Sequence, residues 1–519
     1  MDTTPEHSTS AARLWRHAEE RPEALAVCDG RVSLSYRALC TEIDRLAALL
    51  SRYGVGPESR VLFLPDVCVE SVIAYWALRT IDAVVIVGDP GSRTQERAHY
   101  IERTGASHAL VGCRAAETDT PSAFCFHLAP GVAGVRQWGP ERTEPPVPMA
   151  INDENGSRPA VILFSSGTTG QPKAIVHTAA TIDALHRTLL ATWRLSPADR
   201  VLAALPFHTI YGLLFSAGSA LYAGAALVLL ERFKPRDALL AIETHQVTTA
   251  AFVPAMALMI LNLDDRDAFD LSSLRALYTA SAPISEHDIA RFEAYSGAPL
   301  ISNYGLTEIP GAAVERADTL HHPGSVGQLS PGFEAVARDG NGMPLPSGKT
   351  GEITLRGPTL MAGYLDDPEQ TARRVRDGWI YTQDIGHVDA DGRVFLSGRM
   401  SDMIIRGGLN ISPLEIEAVL SSHDAVSEAA VVGAPDRVLG QVVVACIVPS
   451  PAADRSTIFD TLMTHCRQFL SAPKVPVAIH LLDALPRNAG GKVLRKELAQ
   501  RLEVQPADSQ TMNRREMRP

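Results

Sequence analysis

Apolar positions recur along this chain at several spacings, and each spacing predicts a different element. Residues Ala24 to Leu34 read as two short strands around Asp29-Gly30, a favoured hairpin turn pair. Leu39, Ile43, Leu46 and Leu50 then fall on one face at helical spacing, with Gly54 where a C-terminal stop belongs. Next, Arg60-VLFLP and the run AVVIV from Ala83 to Val87 flank an apolar helical stretch from Ser71 to Leu78. Strand, helix, strand at this spacing is the βαβ signature of a mostly parallel sheet.

From Ala115 to Pro159 the pattern dissolves into Pro, Gly, Thr and charge, which predicts a surface excursion ending at the strand that begins at Ala160. Leu213 to Leu230 carries no charge over a span only just long enough for a membrane; its Gly, Ala and Ser content predicts a buried helix passing into a strand, not a membrane insertion. After the Gly- and Pro-rich stretch at Asp339, Glu352-ITLRG opens a series of short strands. From Ser412 a helix (PLEIEAVL), two strands (EAAVVGAP, QVVVACIV), a helix near Ile458 to Leu470 and a closing strand (AIHLLDAL) make a compact α+β unit. Gln505 to Pro519 is polar and expected to fray, and no internal repeat is visible.

At 519 residues the chain exceeds what one core can organise, since single cores stop growing at about 250–300 residues. Hydrophobic residues make up 45% and charged residues 21%, a globular composition able to bury a large core. The net charge of -11, without a Lys/Arg block, gives no electrostatic reason to bind nucleic acid or an anionic membrane and points to a small-molecule partner. The 7 cysteines are odd in number and none are spaced C-x-x-C, which argues against a disulfide framework or a Cys-based zinc site and for a reducing compartment. The first residues, MDTTPEHSTS, have neither a basic nor an apolar signal region, so the cytoplasm is the expected location.

The chemistry concentrates in SSGTTGQPK, Ser165 to Lys173, directly after the apolar run Ala160 to Phe164. A strand leading into Ser, Thr and Gly offers backbone N–H groups and hydroxyls to phosphate oxygens. It is not a P-loop, because Gln171-Pro172 separates Gly170 from Lys173 and Ala174 follows the lysine. Alone, it could equally be a polar turn between two strands. It does not stand alone: NYGLTE (Asn303 to Glu308), DGWIYTQDIG (Asp377 to Gly386), GRMSDMIIRGGLNISPLEIE (Gly398 to Glu417) and PRNAGGKVLRKEL (Pro486 to Leu498) follow in order. The series resembles the adenylate-forming superfamily of acyl-CoA synthetases, peptide-synthetase adenylation domains and luciferases, over about Arg13 to Leu502, and is most similar to free-standing acyl- or aryl-CoA ligases.

The resemblance implies a large N-terminal domain, residues 1–400, of mostly parallel sheets flanked by helices plus a β-rich subdomain, and a small mobile α+β C-terminal domain, residues 401–519, hinged at about Asp402. It implies attack of a carboxylate on the α-phosphorus of ATP, giving acyl-AMP and pyrophosphate, then thioester formation with coenzyme A. Ser165, Ser166, Gly167, Thr168, Thr169, Gly170 and Lys173 would clasp the β- and γ-phosphates in a loop ordered by ATP. Asn303, Tyr304 and Gly305 would border the adenine, Tyr304 by stacking; Thr307 would donate to the α-phosphate and Glu308 would hold Mg²⁺. Asp384 and Arg399 would take the ribose, although Gln383 stands where the family usually has Gly. Lys492, one of only 6 lysines, matches the residue that bridges carboxylate and α-phosphate. In a second pose of the small domain, Arg406 to Asn410 would face the site, with Gly408 letting a pantetheine arm pass.

The acyl pocket is expected from PFHTIYG, AFVPAM and TASAPIS, with His208 gating the carboxylate region and Tyr211, Phe252, Met256, Ala280 and Leu306 as lining. Ser281, Ala282 and Pro283 form the neighbouring nucleotide-side segment, where Ala280-Ser281 replaces the Gly-Gly or Ala-Gly often found in acyl and aryl ligases. Phe252-Val-Pro254 offers no acid to pair with an α-ammonium, which disfavours an amino-acid substrate. The chain ends soon after Lys492 without a carrier domain's Ser-bearing motif, which favours CoA as acceptor. A separate acyl carrier protein is the alternative acceptor, a catalytically silent binding protein or a luciferase-like oxidase the minor ones. Neither the acid (fatty, aryl or polycyclic) nor the oligomeric state is legible in the sequence.

Overall fold

The computed structural model describes residues 10–57, 59–112, 124–128, 135–138, 158–165, 173–315, 322, 324–451, 453–487 and 491–504. Its first large sheet carries a parallel run in the order Ala226–Leu229, Arg200–Ala203, Thr249–Phe252, Ala276–Thr279, Leu300–Leu306. Leu300–Leu306 then pairs antiparallel with Ile309–Val314, which carries the sheet on into the short β-rich strands, for 14 strands in all. A second sheet of 8 strands holds Arg60–Leu64 and Val84–Val87 as parallel neighbours, as the βαβ spacing predicts.

Both sheets read as continuous apolar runs because both faces of their central strands are covered. The largest core lies between the sheets. Val61, Phe63, Val85 and Leu163 enter it from one sheet and Val201, Ala203, Ala251 and Tyr278 from the other. The helices Tyr36–Arg52, Val69–Thr80 and Ala179–Trp193 fill the space between them. Leu39, Ile43, Leu46 and Leu50 are all buried on the first of these, the face their spacing marked.

Two expectations are modified. The stretch from Ala115 to Pro159 contains the strands Phe124–Leu128 and Val135–Trp138, which extend the second sheet. Strands of this kind are set by pairing with neighbours, which local composition does not report. The uncharged stretch from Leu213 is buried as far as Leu229, but its helix begins as a π-helix, Tyr211–Gly218, before an α-turn and the strand Ala226–Leu229. Gly212 permits this, since a Cβ there would lie 2.2 Å from the carbonyl oxygen of Pro206. No helix among the described residues is long and apolar enough to cross a membrane.

The C-terminal strands form a separate sheet of 5 strands. Helices Pro413–Ser421 and Ile458–Phe469 cover one face through Ile416, Leu420, Ile458 and Leu462, and the helix Arg495–Val504 covers the other through Leu498. The cores around this sheet draw only on residues from Ile404 onward, and the other cores only on residues up to Leu396.

Candidate active site

The site lies where the strands of the first sheet end and the C-terminal unit comes against them. Strand Pro159–Ser165 turns back into Lys173–Thr178 with Ser165 opposite Lys173. Ser166, Gly167, Thr168, Thr169 and Gly170, the side chain of Ser165, and the expected ordering of this loop lie outside the described residues. Lys173 places its ammonium 5.2 Å from the ring centre of Tyr364. The Tyr364 hydroxyl donates to Oε1 of the buried Glu308 at 2.9 Å.

Thr307 and Glu308 form the two-residue turn between Leu300–Leu306 and Ile309–Val314. Gly305 is required beside it, since a Cβ would lie 2.8 Å from the backbone nitrogen of Gly311. His177 holds the turn from below: its Nε2 lies 2.7 Å from the carbonyl oxygen of Thr307. A carbonyl only accepts, so Nε2 carries the proton and donates. Burial, the dominant cause, keeps the pKa of His177 below its ordinary value and the ring neutral.

Across the cleft, Tyr304 donates its hydroxyl to Asp384 at 2.8 Å, and Nε of Arg399 lies 3.4 Å from the other oxygen of that carboxylate. Asp384 and Arg399 face each other on paired strands, so the sheet register sets this geometry. Gln383 adopts φ +61°, the left-handed backbone that glycine favours, and its N–H donates to Glu352 at 2.9 Å. Gln383 thus adopts at this position the backbone a glycine would favour. Burial raises the pKa of Asp384, opposed by Arg399, the Tyr304 hydrogen bond, Arg374 and Lys492.

Lys492 reaches this cluster from the C-terminal unit. Its pKa is lowered first by burial and then by Arg399, while Asp402 and Asp384 act the other way. Arg487 fixes the segment by donating to the Gly491 carbonyl at 2.7 Å and to Glu428 at 2.5 Å. A Cβ on Gly491 would come within 2.8 Å of Val253, so the turn packs directly on the large unit. Asp402 lies 3.6 Å from Arg495, whose guanidinium also pairs with Glu417 at 2.8 Å.

Lys173, Arg374, Arg399 and Lys492 thus converge on Glu308 and Asp384. Nε of Arg374 is buried without a hydrogen-bond partner, a costly arrangement unless an acceptor arrives, and Nε of Arg399 faces only the Asp384 carboxylate at 3.4 Å without closing a hydrogen bond. Surplus positive charge and orphaned donors suit a polyphosphate. No group of three or more metal-ligating side chains occurs among the described residues; a single carboxylate fits Mg²⁺, which keeps most of its ligands as water and phosphate.

On the acyl side, His208 directs Nδ1 towards Asp89 at 3.8 Å. Tyr211 is buried edge-on to Phe215, and its hydroxyl faces Asn303 without closing a hydrogen bond. That carboxamide is engaged elsewhere, accepting from Trp193 at 3.0 Å and reaching the Thr279 carbonyl at 3.5 Å. Met256 and Ala280 are half-buried against the central core, and Leu306 against the β-rich one. Ala282 and Pro283 follow Ser281, which sits at φ +75° and again keeps a glycine-like backbone.

One expected pocket residue lies elsewhere. Phe252 is fully buried, its ring 5.7 Å from Phe233, because strand alternation turns it into the second core. Gly408, at φ +83°, sits in an exposed hairpin with Ile405 and Leu409 more than half exposed at 55% and 53%. Sequence reasoning missed Tyr364, Arg374 and His177. Tyr364 joins the site through a two-residue strand pairing with Ile175, a contact with no local signal.

Residues 14–365 match the family model described as AMP-binding enzyme, and residues 415–492 match the AMP-binding enzyme C-terminal domain. The chain is 33% identical to the fatty acid–acyl-carrier-protein ligase ScoC of Streptomyces coeruleorubidus over 96% of its length and 97% of that protein. It is also 33% identical to a feruloyl-CoA synthase of Amycolatopsis sp over 94% and 97%. The ATP-bound crystal structure of MatB from Rhodopseudomonas palustris superposes with a TM-score of 0.83 at 26% identity, covering 95% of this chain and 99% of that one.

Proposed function

This chain belongs to the AMP-binding enzyme family, and from that premise we propose an ATP-dependent carboxylic acid–CoA ligase reaction through an acyl-adenylate. The observation that carries it is the convergence of Lys173, Arg374, Arg399 and Lys492 on Glu308 and Asp384, with Lys492 supplied by the other unit. Adenylation concentrates negative charge at the α-phosphate, and preorganised cations in a water-poor cleft stabilise such charge most effectively. Lys492 bridges the attacking carboxylate and the α-phosphate; Thr307 donates to the phosphate; Asp384 and Arg399 hold the ribose, and Tyr304 borders the adenine. Glu308 would hold Mg²⁺, which would supply further charge neutralisation to the phosphates.

Residues 1–400 act as the adenylating body and 401–519 as a unit that turns about Asp402. After adenylation that turn withdraws Lys492 and brings the exposed Arg406–Asn410 hairpin to the acyl-AMP, where Gly408 admits the pantetheine arm. The division of the apolar cores between Leu396 and Ile404 supports a boundary there.

The acceptor has a second reading, since one relative is named for a carrier protein and another for CoA. Mass spectrometry with ATP, Mg²⁺ and a panel of fatty, aryl and bulky alicyclic acids, with and without CoA, separates them. Acyl-CoA with AMP supports the ligase; acyl-AMP that accumulates untouched by CoA moves the acceptor to a carrier protein. No acid-dependent AMP from any acid would overturn the reading.

A further inference from the structure

Asp89 and His208 come from different sheets. Asp89 follows the strand Val84–Val87 of the second sheet, and His208 follows Arg200–Ala203 of the first. Each sits in an anchored loop. Arg97, itself buried, donates to the Pro90 carbonyl at 2.9 Å beside Asp89. Thr209 closes the other loop, its hydroxyl donating to the Pro206 carbonyl at 2.8 Å while accepting from the Gly212 N–H at 3.1 Å. Two fixed loops hold Asp89 Oδ1 3.8 Å from His208 Nδ1.

His208 Nδ1 is buried and has no hydrogen-bond partner in this state. An imidazole so placed is held neutral by desolvation unless an opposite charge lies near. Asp89 is the charged group acting on it among the described residues, and the segment from Pro206 to Tyr211 carries no charge of its own. Burial, the larger cause, leaves the pKa of His208 below its ordinary value, and Asp89 offsets only part of that fall.

We propose that Asp89 is a positioning residue for the acid substrate: it turns Nδ1–H of His208 toward itself, so that Nε2 is left facing the incoming carboxylate and takes up a proton as that second negative charge arrives. This rests on the adenylation reading above. A purely structural role for Asp89 is visible as well, because Oδ1 also accepts from the Gly91 N–H at 2.8 Å. The two roles separate cleanly: asparagine makes the same turn through its own oxygen but carries no charge.

The test is Asp89→Asn, read in two ways. Histidine ring NMR, with the His208 resonance assigned by its loss in His208→Gln, reports the pairing without any activity. The His208 midpoint should fall by about one pH unit in Asp89→Asn and return in Asp89→Glu. Steady-state adenylation at pH 7.5 should show KM for the acid raised about three- to tenfold, KM for ATP unchanged, and the alkaline limb of kcat/KM for the acid moved to lower pH. In a His208→Gln background Asp89→Asn should add nothing. An unmoved His208 midpoint, or an equal rise in KM without His208, overturns the proposal. If no acid is adenylated at all, the ligase reading fails while the NMR arm still decides the pairing.

Discussion

The hydroxyl of Tyr304 donates to one oxygen of Asp384 at 2.8 Å while the other oxygen faces Arg399 at 3.4 Å. The ring proposed for the adenine and the carboxylate proposed for the ribose are thus one hydrogen-bonded unit. Its charge state has consequences for ATP.

Burial raises the pKa of Asp384 and the Tyr304 hydrogen bond opposes that rise. Ribose hydroxyls require an ionised acceptor, so ATP affinity should fall as pH drops through the raised value. Tyr304→Phe should move that acid limb to higher pH and weaken ATP binding about tenfold at pH 7, the worth of roughly 1.4 kcal/mol for a hydrogen bond to a charged group. Titration calorimetry between pH 5 and 8 measures both; identical acid limbs in the two proteins would refute the coupling. Linkage has the opposite sign for the free protein. A carboxyl whose folded pKa is raised contributes stability at low pH and loses it as pH rises through that value.

Lys492→Ala should abolish acyl-AMP formation and leave thioester formation from supplied acyl-AMP largely intact, whereas Asp402→Pro should do the reverse. Because burial and Arg399 lower the pKa of Lys492, the alkaline limb of adenylation should lie below the ordinary lysine value of 10.5. Separate assays of the two half-reactions decide this. Equal loss in both for both variants would end the two-pose division.

Ser281 at φ +75° and Gln383 at φ +61° occupy backbone that side chains tolerate poorly. Glycine at either position should stabilise the protein by about 0.5–1 kcal/mol, relief of strain offset in part by a freer unfolded chain. Urea midpoints measure this. Destabilisation by either substitution would mean that the side chain makes a contact worth more than the strain.

His186 is fully buried, with Nδ1 3.0 Å from the Ser10 hydroxyl, and desolvation pushes its pKa down to about 3. A histidine with a depressed folded pKa contributes stability above its unfolded value, and that stability is lost as pH falls from about 6.5 towards 3. The slope from this one ring is about 1.4 kcal/mol per pH unit in that window. Urea unfolding at pH 7.5 and 5.5 should show wild type losing about 1.4 kcal/mol more in total than His186→Gln, since only the unit below 6.5 carries the slope. Parallel losses would place the acid sensitivity in other groups.

The helices and strands of the large unit were legible where burial follows a period. Leu39, Ile43, Leu46 and Leu50 all enter the core from one helical face, and the apolar runs at Arg60 and Ala83 became neighbouring parallel strands. Strands Phe124–Leu128 and Val135–Trp138 were not legible, because their pairing partners, not their local composition, define them. The π-helical start at Tyr211 was hidden too, since no spacing distinguishes it from an α-helix when every position is buried.

By itself the sequence determined which residue types the chemistry has at its disposal: the Ser/Thr/Gly loop before Lys173, the Tyr304–Glu308 run, Asp384, Arg399 and Lys492, each carried by a local motif. Tertiary structure alone decided how those groups are charged and held. Tyr364 and His177 brace Glu308 and Thr307 through contacts 56 and 130 residues apart along the chain. Arg374 joins the cation cluster, Asp89 meets His208 across two sheets, and Phe252 turns into the core. The physical reason is that motifs record short-range spacing, while burial, strand register and the field of neighbouring charges depend on which distant segments fold against one another.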